Sequence, residues 1–356
     1  MWRNDWKPYI GITDFTTADE TQEMFRVFQE AGGPAIGRVL QAGVMTSKKV
    51  LTDQPTKWAK AFPPKEKLRE IFLHHDHLLG TLHYADYEDA PELEQDLERA
   101  FGHAYFGFAG QPGAYCMQAI QLDMIWPDPA KLLRVSEWYG NIRIILQVGK
   151  EALSQVGNDP EKLLKRLEPY KRCVDDVLLD KSAGKGLGLD AEGLRPFVEA
   201  VLKRGPGMGV VVAGGLGPES LHLVEALVRD YPMLSIDAQG KLRPSGDALN
   251  EPISWTMAER YLRKAVEMFR TAQDGSYRTF HTPHPGFQGA AIPIPEPVRK
   301  VAAALAGKRL WVPEALAKLR AVTDGKVEDH PDHGWISLHL GRPGGPEHVF
   351  RVIRYR

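Results

Sequence analysis

The strongest constraint on this chain is an unbroken alternation. Eight short apolar runs, at residues 8–14, 35–40, 78–84, 117–122, 142–147, 177–179, 209–213 and 234–237, are each followed by loop or helical spacing, with no hairpin signal between them. Strands that cannot pair through a tight turn must run parallel and be joined by crossovers, and eight is the number that closes a barrel. The expectation is a TIM (β/α)8 barrel over residues 1–272, with a doubly wound open sheet as the alternative. Individual signals agree with the pattern. Thr17 with Glu20 three residues on reads as a capping box for the first helix, and Gly32 and Gly33 read as its end.

In such a barrel the chemistry belongs at the C-terminal ends of the strands, so Asp14, His83, Asp123, Asp180, Gly214 and Asp237 are expected to converge there. The sixth strand is the most informative. Its apolar run Val177–Leu178–Leu179 stops at Asp180; then come Gly184, Gly186 and Gly188 with Lys181 and Lys185 among them, and Asp190 stands before the next helix. A strand, a glycine loop and a helix start can bring backbone N–H groups to an anion; the same sequence also serves as a plain turn.

Residues 273–356 break the repeat. Residues 273–297 are dense in glycine, proline and histidine, as a connecting loop would be; two helical stretches follow, near 298–306 and 313–322, and two strands, 335–340 and 348–355, close the sequence. The expectation is a small C-terminal α+β appendage packed on the barrel, with an independent small domain as the alternative.

Charge and cysteine content narrow the partners. Lys plus Arg number 45 against 46 Asp plus Glu, a net charge of -1, so no global field favours nucleic acid or an anionic membrane. The two cysteines, Cys116 and Cys173, form neither a disulfide framework nor a metal-type pair. The start lacks an apolar signal core and no run is long enough to span a bilayer, which together lead to a cytoplasmic expectation. His74, His75 and His77 precede the third strand and so belong to the far end of the barrel; His281, His284, His330 and His333 read as loop polar groups. No metal-site template is met, and neither a metal nor a cofactor is expected.

Taken in order, VLLDKSAGKGLGLD, VVAGGLGPESL and SIDAQGKLRPSGD, preceded by YIGIT, AIGRVL with SKK after it, and IQLD, resemble the strand motifs of phosphoribosylanthranilate isomerase across nearly all of residues 8–270. The resemblance implies an isomerase acting on a phosphorylated, carboxylate-bearing small molecule. It makes Asp180 the general acid, gives the phosphate to Gly214 and Gly215 with the loop at Gln239 and Gly240, and puts Lys49 where an arginine holds the substrate carboxylate. The departures are specific. The family's general base, a cysteine, corresponds to Ile10; its fourth-strand histidine corresponds to Asp123; Lys185 stands where a small hydroxyl residue is usual; and the eighth-strand serines are replaced around Ala238 and Gln239.

An Amadori-type isomerisation needs an acid at the ring oxygen and a base at a C–H bond. With Ile10 unable to take a proton, Asp14 and His83 are the candidates for the base; Asp14 also reads as a turn residue before the capping box, and His83 as a histidine satisfied inside the barrel. Two functions remain open at this point: an isomerase-like enzyme without the family's cysteine, and a catalytically silent barrel that binds a phospholigand or serves as a scaffold. The oligomeric state is not legible.

Overall fold

A computed structural model describes residues 6–58, 62–86, 92–104, 117–140, 142–181, 189–276, 297, 317, 319–323, 326–330, 335–340 and 348–354. Eight parallel strands close into a barrel in sequence order: β1 (Tyr9–Thr13), β2 (Val39–Ser47), β3 (Leu78–Ala85), β4 (Met117–Asp123), β5 (Arg143–Gly149), β6 (Asp176–Asp180), β7 (Gly209–Ala213) and β8 (Ser235–Ala238). β8 returns to β1 with Gly11 opposite Asp237. This is the TIM barrel that the alternation requires. The helices are α1 (Ala18–Glu30), α2 (Lys48–Leu51), α3 (Leu68–Ile71), α4 (Leu93–Ala104), α5 (Pro129–Trp138), α6 (Lys150–Gln155), α7 (Pro160–Leu167), α8 (Ala191–Arg204), α9 (Glu225–Asp230) and α10 (Trp255–Ser276).

The first helix starts as its capping box dictates. The Thr17 hydroxyl accepts from the Glu20 backbone N–H at 3.3 Å, and the Glu20 carboxylate accepts from the Thr17 N–H at 2.9 Å. The second strand departs from the sequence expectation of 35–40. Pro34–Ile36 is a single 3₁₀ turn that ends on Gly37 in the left-handed region, φ 72°, so the strand begins only at Val39.

Each strand has two faces, and they differ in chemistry. Tyr9, Val39, Leu79, Ala119, Ile145, Leu178 and Val211 come from seven successive strands and pack into one cluster, the floor of the barrel interior. By the two-residue period of a strand, Ile10, Leu40, Leu82, Ile120, Leu146, Val177 and Val212 face the helices, and all are buried. The helix-facing layer is thus continuously aliphatic, which is what makes the strands conspicuous in the sequence.

The N-terminal end of the barrel is closed by buried charge. Arg143 donates to both oxygens of Asp176, at 2.6 and 2.8 Å, and to the Lys7 carbonyl at 2.9 Å, with Trp6 and Tyr9 rings beside its guanidinium. Arg38, also buried, donates to the carbonyls of Leu234 and Pro232 and so ties β2 to the chain entering β8; burial lowers its pKa to about 9. His75 and His77 lie just before β3, at this same end, where the His77 N–H donates to His75 Nδ1 at 3.1 Å.

The chain divides into two compact units, Met1–Met268 and Phe269–Arg356. In the second unit three antiparallel strands, β9 (Lys326–His330), β10 (Trp335–Leu340) and β11 (His348–Arg354), form a sheet in the order β11-β10-β9. β9 was not anticipated, and it places His330 on a strand instead of in a loop. Residues 281, 284 and 333 lie outside the described residues, as does most of the two expected helical stretches.

Candidate active site

Above the apolar floor the barrel interior becomes polar. Two residues on from the floor positions stand Gly11, Gln41, Thr81, Gln121, Gln147, Asp180 and Ala213, and beyond them Thr13, Gly43, His83, Asp123 and Gly149; Asp237 comes from β8. This is the half of the barrel that opens at the C-terminal strand ends, where barrels of this kind carry their chemistry.

Two glycines make room for the polar layer. A Cβ at Gly11 would lie 2.6 Å from Gln41 Oε1 and 2.7 Å from Asp237 Oδ1, and one at Gly43 would lie 2.4 Å from Thr13 Oγ1 and 3.1 Å from Gln41 Nε2. Any side chain at either position would collide with the groups that fill the interior. Ile10, where the family resemblance expects a base, is on the helix-facing side; the β1 position that meets the polar interior is Gly11.

Asp237 is the group whose protonation the fold alters most. Burial lifts its carboxyl from the ordinary 3.8 to about 7; His83, the Thr13 hydroxyl and the Ala238 backbone N–H oppose the rise, and the Asp14 charge adds to it. The Thr13 hydroxyl lies 3.4 Å from both carboxyl oxygens. His83 is buried, and its Nε2 lies 3.8 Å from Asp123 Oδ2, beyond hydrogen-bond length. Neither ring nitrogen of His83 has a hydrogen-bond partner, nor have Gln41 Oε1 and Nε2 or Gln121 Oε1, among the described residues. Gln121 Nε2 donates to Gln147 Oε1 at 2.9 Å.

The remaining sequence candidates fall in different surroundings. Asp14 follows β1 with φ 96°, an unusual conformation for a residue with a side chain, and both its oxygens are engaged: Oδ1 by Gln239 Nε2 at 3.0 Å, Oδ2 by the buried guanidinium of Arg243. Arg243 also donates to the carbonyls of Gln239 at 3.1 Å and Glu251 at 2.6 Å, so Asp14 and Arg243 together hold the loop after β8 against the end of β1. Asp180, half-buried, ends β6 between Gly149 and Ala213. Its neighbour Lys181 turns to α8, donating to the Gly193 carbonyl at 2.7 Å, where Asp190 caps the helix. Lys49 is exposed on α2. Lys185 and the glycines at 184, 186 and 188 lie outside the described residues.

Gly214 and Gly215 both have positive φ, 94° and 73°, and the Gly215 carbonyl accepts from Ser220 Oγ at 2.6 Å. Their loop abuts the one carrying Gln239 and Gly240: a Cβ at Gly217 would be 2.6 Å from the Lys241 carbonyl oxygen. Among the described residues no group of three or more His, Cys, Asp or Glu could hold a metal ion, and no helix is long and apolar enough to cross a membrane.

Several of these residues were not singled out from sequence. Gln41, Gln121 and Gln147 sit singly within apolar runs, and only their spacing of two from Val39, Ala119 and Ile145 marks them as inward-facing. Arg243 had no local signal.

The sequence matches no protein-family model and no curated protein. Similar solved structures include a protein from Aquifex aeolicus VF5, at 12% identity and TM-score 0.41, covering 75% of this chain and 93% of that one. Others are a Rubisco-like protein of Alicyclobacillus acidocaldarius, at 13% identity and TM-score 0.43, covering 76% of this chain and 63% of that one, and a Rubisco-like protein of Rhodopseudomonas palustris, at 9% and 0.38, covering 76% and 65%.

Proposed function

We propose that the barrel is an enzyme that moves protons on a phosphorylated, carboxylate-bearing small molecule, in an isomerisation of the aldose-amine to amino-ketose type. The observation that carries this reading is Asp237: a buried, inward-facing carboxyl whose pKa lies at about 7, where a group can both take and return a proton at physiological pH. In the reaction Asp180 gives a proton to the ring oxygen as the C–O bond breaks and leaves an iminium. Asp237 then removes the proton from C2, giving an enol-amine that becomes the ketone. Asp237 thereby does the work for which β1 supplies no side chain, and its Oδ1 stands next to the bare Gly11 position.

Asp14 holds Arg243 and the β8 loop in this reading and does not act as the base. The paired left-handed glycines of the β7 loop, abutting the loop at Gln239 and Gly240, support a phosphate site there, since backbone of this kind can turn successive N–H groups toward an anion. The test is a turnover screen of phosphorylated glycosylamines bearing a carboxylate, read by NMR, on wild type and Asp180→Asn. Turnover lost in Asp180→Asn with an unchanged melting temperature supports the reading. Turnover that survives the substitution, or none with any member of the set, refutes it.

A further inference from the structure

We infer that Gln41 and Gln121 are specificity-determining residues of this site, selecting a ligand that inserts a neutral, hydroxyl-bearing segment into the barrel and keeps its anionic groups outward at the loops. The inference rests on the site being a small-molecule site, as proposed above, and adds which part of the ligand goes deepest.

The argument is one of unmet hydrogen bonds. Gln41 is fully buried and Gln121 is 1% exposed. Gln41 has neither a donor for its oxygen nor an acceptor for its nitrogen, and Gln121, which spends its N–H on Gln147, has an unpaired oxygen. Whichever way the Gln41 amide is turned, it offers one acceptor and at least one donor. Beside them His83, 4% exposed, leaves both ring nitrogens without a hydrogen-bond partner. Buried polar groups left unpaired are costly, so the interior is built for something that supplies both donors and acceptors. A hydroxyl does both; an alkyl chain does neither, and a carboxylate or phosphate only accepts.

Charge decides against an anion in the depth of the site. Among the described residues the inward set above the floor contains Asp237, Asp180 and Asp123 and no Lys or Arg. The buried Arg243 is engaged by Asp14, and Arg143 belongs to the opposite end of the barrel with Asp176. An anion pushed between the glutamines would meet carboxylates with no counter-charge. Water could fill the same places, and a hydroxyl that replaces ordered water must reproduce its bonds to gain affinity; that is the distinction the experiment makes.

The experiment measures calorimetric affinities of the full chain for a pentitol phosphate, pentyl phosphate of the same chain length, inorganic phosphate and the free pentitol. Wild type is compared with Gln41→Met and Gln121→Met, two separate positions, each checked by melting temperature. The expected result is that the pentitol phosphate binds about tenfold or more tighter than pentyl phosphate, and that either variant brings the two within about threefold while inorganic phosphate binds as before. Pentyl phosphate binding wild type as tightly as the pentitol phosphate overturns the inference and leaves the phosphate site standing. Binding of the free pentitol to wild type but not to the variants, with no affinity for inorganic phosphate, upholds the inference and removes the phosphate reading. Failure of both the pentitol and its phosphate to bind overturns it, as does a folded variant that keeps the full preference.

Discussion

Replacing Asp237 by Asn should make the protein more stable at alkaline pH and not at acid pH. The carboxyl is held at about 7 in the fold against 3.8 ordinarily. Between those values the unfolded chain has released the proton and the folded chain retains it, so folding takes up a proton and stability falls as pH rises. The slope is about 1.4 kcal/mol per pH unit, and over a shift of about three units the loss reaches about 4 kcal/mol above pH 7. Below about pH 4 the group is neutral in both states and that contribution to stability is fully present. Asn is nearly isosteric and cannot ionise, so it escapes the loss while keeping an oxygen for the Thr13 hydroxyl. Urea unfolding of wild type and Asp237→Asn across this range isolates the residue, because every other titrating group cancels in the difference. The variant should lead by up to about 4 kcal/mol at about pH 8, and the gap should close toward about pH 4. A gap that does not change with pH, or a wild type that gains on the variant as pH rises, refutes the reasoning.

Other consequences concern the polar frame around the site. Arg143→Met leaves Asp176 buried and unpaired and should cost about 3–5 kcal/mol in urea unfolding, with ligand affinity unchanged because the pair lies at the opposite end of the barrel. Arg243→Met should cost a similar amount, about 3–5 kcal/mol, and adding Asp14→Asn should recover part of it; a double-mutant cycle showing no coupling would contradict the ion pair. Gly11→Ala forces Gln41 and Asp237 aside and should cost about 1–3 kcal/mol while lowering affinity for the pentitol phosphate.

The barrel was legible because its helix-facing strand residues are aliphatic almost without exception: Ile10, Leu40, Ile120, Leu146, Val177 and Val212 announce strands whatever their register. The inward face was far less legible, since Gln41 in VLQAGVMTS and Gln121 in MQAIQLD look like single polar interruptions until a register assigns them to the same side as Val39 and Ala119. Pro34–Ile36 misled for a local reason: an apolar triplet reads as strand, but Gly37 turns left-handed directly after it. Asp14 was visible as a strand-end carboxylate, whereas its partner Arg243 is 229 positions away and nothing near either residue connects them. Asp237 was expected at the strand ends; the burial that shifts its proton depends on Gly11 across the closing seam, which only the closed barrel supplies.

The central claim is that a buried carboxyl in the C-terminal half of the barrel exchanges a substrate proton. Its most direct test is the rate at which the C2 proton of a bound phosphorylated glycosylamine is replaced by deuterium in deuterium oxide, followed by NMR as a function of pH. Wild type should exchange with an inflection near the Asp237 value of about 7, and Asp237→Asn should lose at least about a hundredfold of the rate together with the inflection. Exchange by Asp237→Asn at the wild-type rate, or no exchange by wild type with a ligand shown to bind, would contradict the account.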